Sequence, residues 1–297
     1  MKPALAAARS MRVLSFLTVN PRTAFTLSEL SAALDVSPAS LSAILLAMTD
    51  AGYLVRHPRH KTYELGMAGV AVGNAAGMRH PVVELARAEM PALAALGTAC
   101  VGSAIMGEDI AVLAITGRTT SSTREVHLGQ RVPIVPPYGQ VFLAWSPAAT
   151  IERWLTGMDP DAGEAESLLR SLAFTRALGF TVVLDTEAVA AVQHLFAELA
   201  RRPWDEEVRA RIRTAIVRQA GSYAVDALEP GREYRVDHMA APVFGVDGSV
   251  VFALTVHGLG ARTGAELLRI GREIADVGLT LTRAIDGRAP RVESPSP

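Results

Sequence analysis

Between Thr26 and Leu65 the chain sets two helix-start signals in front of an apolar hairpin with a basic tip, an order that few small folds accommodate. Thr26 precedes Glu29 by three positions, the spacing at which an N-cap hydroxyl and a carboxylate satisfy each other's free backbone donors, so a helix is predicted from Leu27 with Leu27, Leu30 and Leu34 on its inner face. Asp35 and Val36 make a turn, and Ser37 followed by Pro38 supplies an N-cap and a first-turn proline for a second helix. Leu41, Ile44, Leu45 and Met48 then recur at i, i+3, i+4 and i+7. The opposite face carries Ala39, Ser40, Ala43 and Ala47, residues small enough to lie against a major groove about 12 Å wide. Gly52 ends that helix, and Tyr53 to Arg56 and Thr62 to Leu65 read as strands around the loop His57, Pro58, Arg59, His60, Lys61. Capped helices and solvated basic turns are common singly; in this order they describe a winged helix-turn-helix whose wing brings positive charge to phosphate.

The overall formal charge of −1 hides an asymmetry. Residues 1 to 80 hold eight Lys/Arg against four Asp/Glu, a balance of +4, and residues 81 to 297 hold twenty-one against twenty-six, a balance of −5. Cationic charge therefore collects on the segment that would meet DNA. At 297 residues and 49% hydrophobic the chain can bury sizeable cores, and about two domains are expected. Cys100 is the sole cysteine, which excludes an intramolecular disulfide and a cysteine metal cluster and fits a reducing cytoplasm. No apolar run reaches the length of a membrane helix, and the alanine-rich start lacks a secretory core; it reads as a first helix with Leu5, Ala8, Met11, Leu14 and Leu17 along one side.

Residues 67–79 form the expected connection between a DNA-binding domain at 1–66 and a second domain at 80–286. Gly69, Gly73 and Gly77, four apart, would make one flat helical stripe suited to a partner subunit, or else the segment is a flexible connector, since each helical glycine costs up to about 1 kcal/mol. In the second domain a helix from Pro81 to about Leu96 precedes two apolar runs, Ala99 to Met106 and Ile110 to Thr116, around Gly107, Glu108 and Asp109. A second hairpin joins Ala240 to Phe244 with Ser249 to His257, Gly258-Leu259-Gly260 reads as a turn, and Thr263 caps a last helix to about Ile285. Helices around antiparallel hairpins imply an α+β fold with a central sheet. Residues 287–297, rich in Pro, Ser and Arg, are expected to be a disordered tail.

The ordered set Leu27 to Ala33, Ser37 to Leu45, Gly52-Tyr53-Leu54, Tyr63 to Gly66, Gly129 to Ile134, Gly139, Ala240 to Phe244, Asp247-Gly248 and Ala253 to Thr255 resembles the IclR family of bacterial transcriptional regulators along nearly the whole chain. The resemblance implies a GAF-like effector-binding domain joined by a linker helix to dimeric winged helices, assembling as a homodimer or tetramer on operator DNA. It also exposes departures. Where the family usually carries an arginine in the second helix this chain has Ala43, which leaves Ser37, Ser40 and Ser42 with the helix N-terminus to meet phosphates and bases. Thr26, Ala39, Arg56, Arg59, His60 and Lys61 complete the expected DNA-facing set. The segment before Gly139, small and polar in the family, reads Val135, Pro136, Pro137, Tyr138; His238 stands where a cysteine is frequent, and two hydroxyl positions become Thr255 and His257.

Alternate strand residues share a face, so Thr255 and His257 point together and His238 on the neighbouring strand can join them. With Pro137, Tyr138 and Gly139 these residues suit a small carboxylate or phenolic effector; read otherwise, Tyr138 is a packed core aromatic and the histidines bond locally. An acidic residue of the family that faces the effector corresponds to Asp185 or Asp226, separated by a helical insertion near 186–220, and Asp226 is preferred for its proximity to the Glu229-Pro230-Gly231 turn. No cofactor or metal is expected. Two other classes stay open: a metabolite-binding enzyme or metal-dependent protein using His238, His257 and Asp226, against which the chain has no Gly-x-Ser-x-Gly, phosphate loop or dinucleotide glycine pattern, and a scaffold that no longer binds DNA.

Overall fold

A computed structural model describes residues 4–118, 126–135, 138–156, 161–201, 205–217 and 225–290. The first domain is α1 (Leu5–Val19), β1 (Phe25–Thr26), α2 (Leu27–Leu34), α3 (Pro38–Asp50), β2 (Leu54–Arg56) and β3 (Thr62–Leu65), with the strands in the order β1-β3-β2. The capping box at the start of α2 is formed, and the apolar spacing of α2 and α3 closes over α1 in one core of Val13, Leu17, Leu30, Leu34, Leu41 and Leu45. Gly52 takes φ +75°, and the amides of Gly52 and Tyr53 donate to the carbonyls of Thr49 and Met48, which ends α3 in a Schellman motif. Strand β1, pairing Phe25 with Tyr63, was invisible in the sequence because two residues carry no period.

The connection is helical: α4 spans Met67–Arg79, and none of its residues is buried within the chain. Its first turn is fixed to the first domain. The Gly66 amide donates to the Tyr53 carbonyl at 2.7 Å, the Ala68 amide donates to the Gly52 carbonyl at 3.1 Å, and a Cβ on Gly66 would lie 2.2 Å from the Gly52 oxygen.

The second domain contains α5 (Val82–Ala94), β4 (Ala99–Met106), β5 (Asp109–Gly117), β6 (Arg131–Pro133), α6 (Gln140–Leu143), α7 (Ala148–Thr156) and α8 (Ala162–Leu178), followed by β7 (Thr181–Leu184), α9 (Glu187–Arg201), α10 (Glu206–Val217), β8 (Glu233–Phe244), β9 (Val250–Thr263) and α11 (Gly264–Ala284). Its sheet runs β6-β5-β4-β9-β8-β7 with every described pair antiparallel. One face packs on α5 and α11 around Met90, Met239, Val243, Phe252, Leu254 and Ile274. The other meets α6, where Ala240 and Ala253 join Ile110, Val141 and Phe142. The expected insertion is the α9–α10 pair, which contributes Val189, Val192, Phe196 and Ile212 to a separate core with Val183. Arg209 of α10 donates two hydrogen bonds to the buried Asp109 carboxylate of β5, at 2.7 and 3.0 Å, and that pairing raises the guanidinium pKa.

Two expectations change. Strands β8 and β9 are longer than their sequence reading, and Gly258-Leu259-Gly260 lies inside β9 rather than in a turn, with positive φ at both glycines. At the C-terminus Gly287 and Arg288 are held, not frayed, by amide bonds to the carbonyls of Thr282 and Gly245; residues 291–297 of the expected tail lie outside the described residues. No single described helix is long and apolar enough to cross a membrane.

Gly271 of α11 has no room for a side chain, since an added Cβ would stand 2.3 Å from the ring of Phe180, itself 1% exposed. Gly271→Ala should therefore destabilise the protein by about 1–3 kcal/mol in denaturant unfolding through overpacking, and Phe180→Leu in the same background should return part of the loss. A Gly271→Ala protein as stable as wild type would show that α11 does not press on Phe180.

Candidate nucleic-acid interface and effector site

Helix α3 buries Leu41, Ile44, Leu45 and Met48, which turns Ala39, Ser42, Ala43 and Ala47 to solvent and leaves Ser40 half-buried. The outward small-residue face read from the sequence is therefore present. Its start differs in one respect: Ser37 sits at the N-cap position but makes no side-chain cap, and its hydroxyl donates to the Ser40 hydroxyl at 3.1 Å. The proline ring fixes the first turn, and the N-cap side chain accepts from none of its amides. Thr26 is engaged in the opposite way. Its amide and hydroxyl both donate to the Glu29 carboxylate, which lowers that carboxyl's pKa, and the hydroxyl accepts from the Glu29 amide. What Thr26 supplies is a fixed start for α2. Leu46, 63% exposed beside Ala43, is a residue of the outer face that inner-face periodicity could not reveal.

At the wing, Arg56, Arg59, His60 and Lys61 are all exposed. Arg56 lies over the Tyr63 ring at 5.7 Å, so its guanidinium is oriented by the sheet. The tip is built by His57, whose Nδ1 accepts from the amides of Arg59 and His60 and whose ring lies 4.5 Å from that of His60. Lys61 closes the turn with φ +57°, in the left-handed region. On α4, a Cβ added to Gly69, Gly73 or Gly77 would meet nothing within 4 Å, while Met67 and Met78 are 77% and 83% exposed.

The second constellation lies where β8 and β9 break their alternation. Val236 and Met239 both enter the core against α11, and so do Val256 and Leu259. Residues three apart in a flat strand face opposite sides; here bulges intervene, shifting the register between Val236 and His238 against β9 and between Val183 and Leu184 against β8. Asp237 and His238 consequently fall together on the side away from α11. The Asp237 carboxylate accepts from His238 Nδ1–H at 2.5 Å, and the two residues are 2% and 6% exposed. His238 pairs with His257 across the strands, with ring centroids 5.3 Å apart, and Tyr138 stacks on His238 at 6.0 Å while meeting Phe196 of α9 edge-on at 4.8 Å. Thr255 lies two residues from His257 opposite Ala240, and both Thr255 and His257 are half-buried.

The structure thus brings Tyr138, His238 and His257 together, with Thr255 two residues along the strand from His257. Gly139 contributes backbone: at φ +89° it starts α6 and accepts from the amides of Phe142 and Leu143. Pro137 lies outside the described residues. Asp226 is a correction, for it is exposed at the domain surface and its carboxylate accepts from Arg170 Nε at 3.1 Å. Proximity to the Glu229-Pro230-Gly231 turn was a poor guide because the chain had not yet entered the sheet. Asp185 instead approaches Arg235 at 3.7 Å. The acidic member of the cluster is Asp237, passed over because a residue adjacent to an inward histidine should point outward in a regular strand. One donor atom from each of Asp237, His238 and His257 lies within 4.8 Å of the others. Cys100 is buried, with its thiol pKa pushed up to about 12.

Comparison with known proteins accords with this architecture. Residues 6–58 match the IclR helix-turn-helix domain. Similar solved structures include an IclR transcriptional regulator from Alicyclobacillus acidocaldarius (18% identity, 96% of this chain and 100% of that chain, TM-score 0.64). Another is an IclR homolog complexed with 4-hydroxybenzoate from Microbacterium hydrocarbonoxydans (17%, 94% and 99%, 0.63). A third is HmgR from Pseudomonas aeruginosa (18%, 95% and 99%, 0.61). No curated protein matches in sequence.

An ionised carboxylate can only accept, so the 2.5 Å contact calls for a proton on His238 Nδ1. Nitrogen NMR of the metal-free protein should show His238 protonated at Nδ1, and Asp237→Asn should move the population toward the Nε2–H form. An unchanged tautomer in Asp237→Asn would mean that the carboxylate does not orient the ring.

Proposed function

We propose that this chain, whose reader is an IclR-type helix-turn-helix and whose fold is that of IclR transcriptional regulators, binds operator DNA as a homodimer or tetramer and adjusts that binding when a small acidic or aromatic metabolite enters the Tyr138–His238–His257 site. The observation that carries the reading is the orientation of α3: its apolar side is used up in the domain core, and its small residues face outward beside a cationic wing. Two copies would present two such helices and two wings to a quasi-palindromic site. Helix α4, unburied within the chain, offers the surface for the second copy.

Support for the effector class comes from the side chains. Two imidazoles and the Thr255 hydroxyl can donate to a carboxylate or phenolate, and Tyr138 provides a flat aromatic surface. The similar regulator crystallised with 4-hydroxybenzoate carries a ligand of that chemistry. For regulation, the effector must favour one DNA-binding state over another, or no switching follows.

The DNA half of the proposal is tested by titrating upstream DNA at several salt concentrations. The logarithm of affinity should fall with the logarithm of salt by about 0.9 per phosphate neutralised, and Arg59→Ala with Lys61→Ala should flatten that slope. Binding with neither salt slope nor sequence preference would leave a DNA-blind scaffold. The effector half is tested by thermal shift with small carboxylates and phenols, 4-hydroxybenzoate first. A ligand at about 100 times its Kd should stabilise the wild type by about 2.7 kcal/mol, and His257→Ala should lose much of that shift; equal stabilisation of both proteins removes His257 from the site.

A further inference from the structure

We propose that Asp237, His238 and His257 form a binding site for one divalent transition-metal ion, with a coordination position left open toward the effector. That position deepens the reading of the effector site and rests on it, whereas the ion itself does not. Imidazole nitrogen and carboxylate oxygen are ligands of zinc and its neighbours, bonding at about 2.0–2.2 Å. One donor from each residue already lies within 4.8 Å of the other two. Around a tetrahedral ion with bonds of that length donors stand about 3.3–3.4 Å apart, so His257 has to draw in while the 2.5 Å contact between Asp237 and His238 has to open.

Three features make this more than a chance approach of polar groups. First, the site is built by backbone irregularity: both strands bulge beside Asp237 and His257, and without the bulge Asp237 and His238 could not share one face. Second, the carboxylate is 2% exposed and meets the His238 ring at 2.5 Å, so its oxygen is directed at the imidazoles and not at solvent. Third, the donors sit on paired central strands, with His257 also opposite Ala99 of β4, so their backbone is held on both sides. Cys100 takes no part, because it pairs with Val256, whose side chain is in the core on the α11 side.

In the metal-free form the proton on His238 Nδ1 bridges to Asp237 Oδ2 at 2.5 Å. An entering ion replaces that proton between oxygen and nitrogen, the proton moves to Nε2 of the same ring, and His257 supplies the third bond. Three protein ligands leave a tetrahedral ion one position for water or for the oxygen of a carboxylate or phenolate.

The full-length protein, treated with chelator and dialysed, is titrated with Co2+. Visible absorption bands should saturate at one ion per chain, Zn2+ should displace them, and the His238 proton should move to Nε2 by NMR. His257→Ala and His238→Ala should each weaken binding about 100-fold while their far-ultraviolet spectra stay native; should either fail to fold, His257→Gln replaces it. Absent bands, or binding unchanged in folded variants, overturns the metal site. Repeating the 4-hydroxybenzoate thermal shift in chelator separates the two readings. A shift that persists without cobalt binding leaves the effector site standing and the metal site refuted, whereas cobalt bound with no shift from any acid does the reverse.

Discussion

A β-strand gives neighbouring side chains opposite faces, and the polar cluster of the second domain depends on a break in that constraint. Because β8 and β9 both bulge near their pairing of His238 with His257, the strands keep Val236, Met239, Val256 and Leu259 in the core under α11 while sending Asp237, His238 and His257 to the other side. The sheet loses little cohesion there, since the register resumes on both flanks. What it acquires is a pair of adjacent polar side chains on one face, which regular alternation forbids. Glycine makes the irregularity tolerable: Gly258 adopts φ +74°, and a Cβ at that position would strike Thr98 at 2.1 Å.

In the first domain the same economy is reached by amphipathicity. Four apolar residues of α3 are consumed by a core of α1 and α2, so the orientation of the helix about its axis is set by burial, and the outward face follows as what remains. Its lack of an arginine shifts the contacts available to the first-turn amides, the serine hydroxyls and the wing, where Arg56 is steadied by Tyr63 and the tip by the His57 ring nitrogen. Groups of these kinds are suited to phosphates more than to base edges.

How far the sequence could be read follows from which interactions are local. Caps, helix periodicity and hairpin turns are settled within a few residues, so α2, α3, the wing, the β4–β5 hairpin and the capping box at Thr263 were legible, as was the shared direction of Thr255 and His257. The α9–α10 insertion was legible as helical, though not its attachment through Arg209 to Asp109, one hundred residues away in sequence. Asp237 was lost because a bulge is defined by a partner strand; nothing in Val236-Asp237-His238 alone announces it. The misplaced Asp226 has the same origin, since its bond to Arg170 joins segments that the sequence holds far apart.

Gly66 sits so close to Gly52 that neither chain segment can turn without the other. The joint between the first domain and α4 is therefore set by backbone contact and by two amide hydrogen bonds, not by side chains. A side chain at Gly66 would have to push the Gly52 carbonyl aside, so the start of α4 could not keep its present seat on the end of α3.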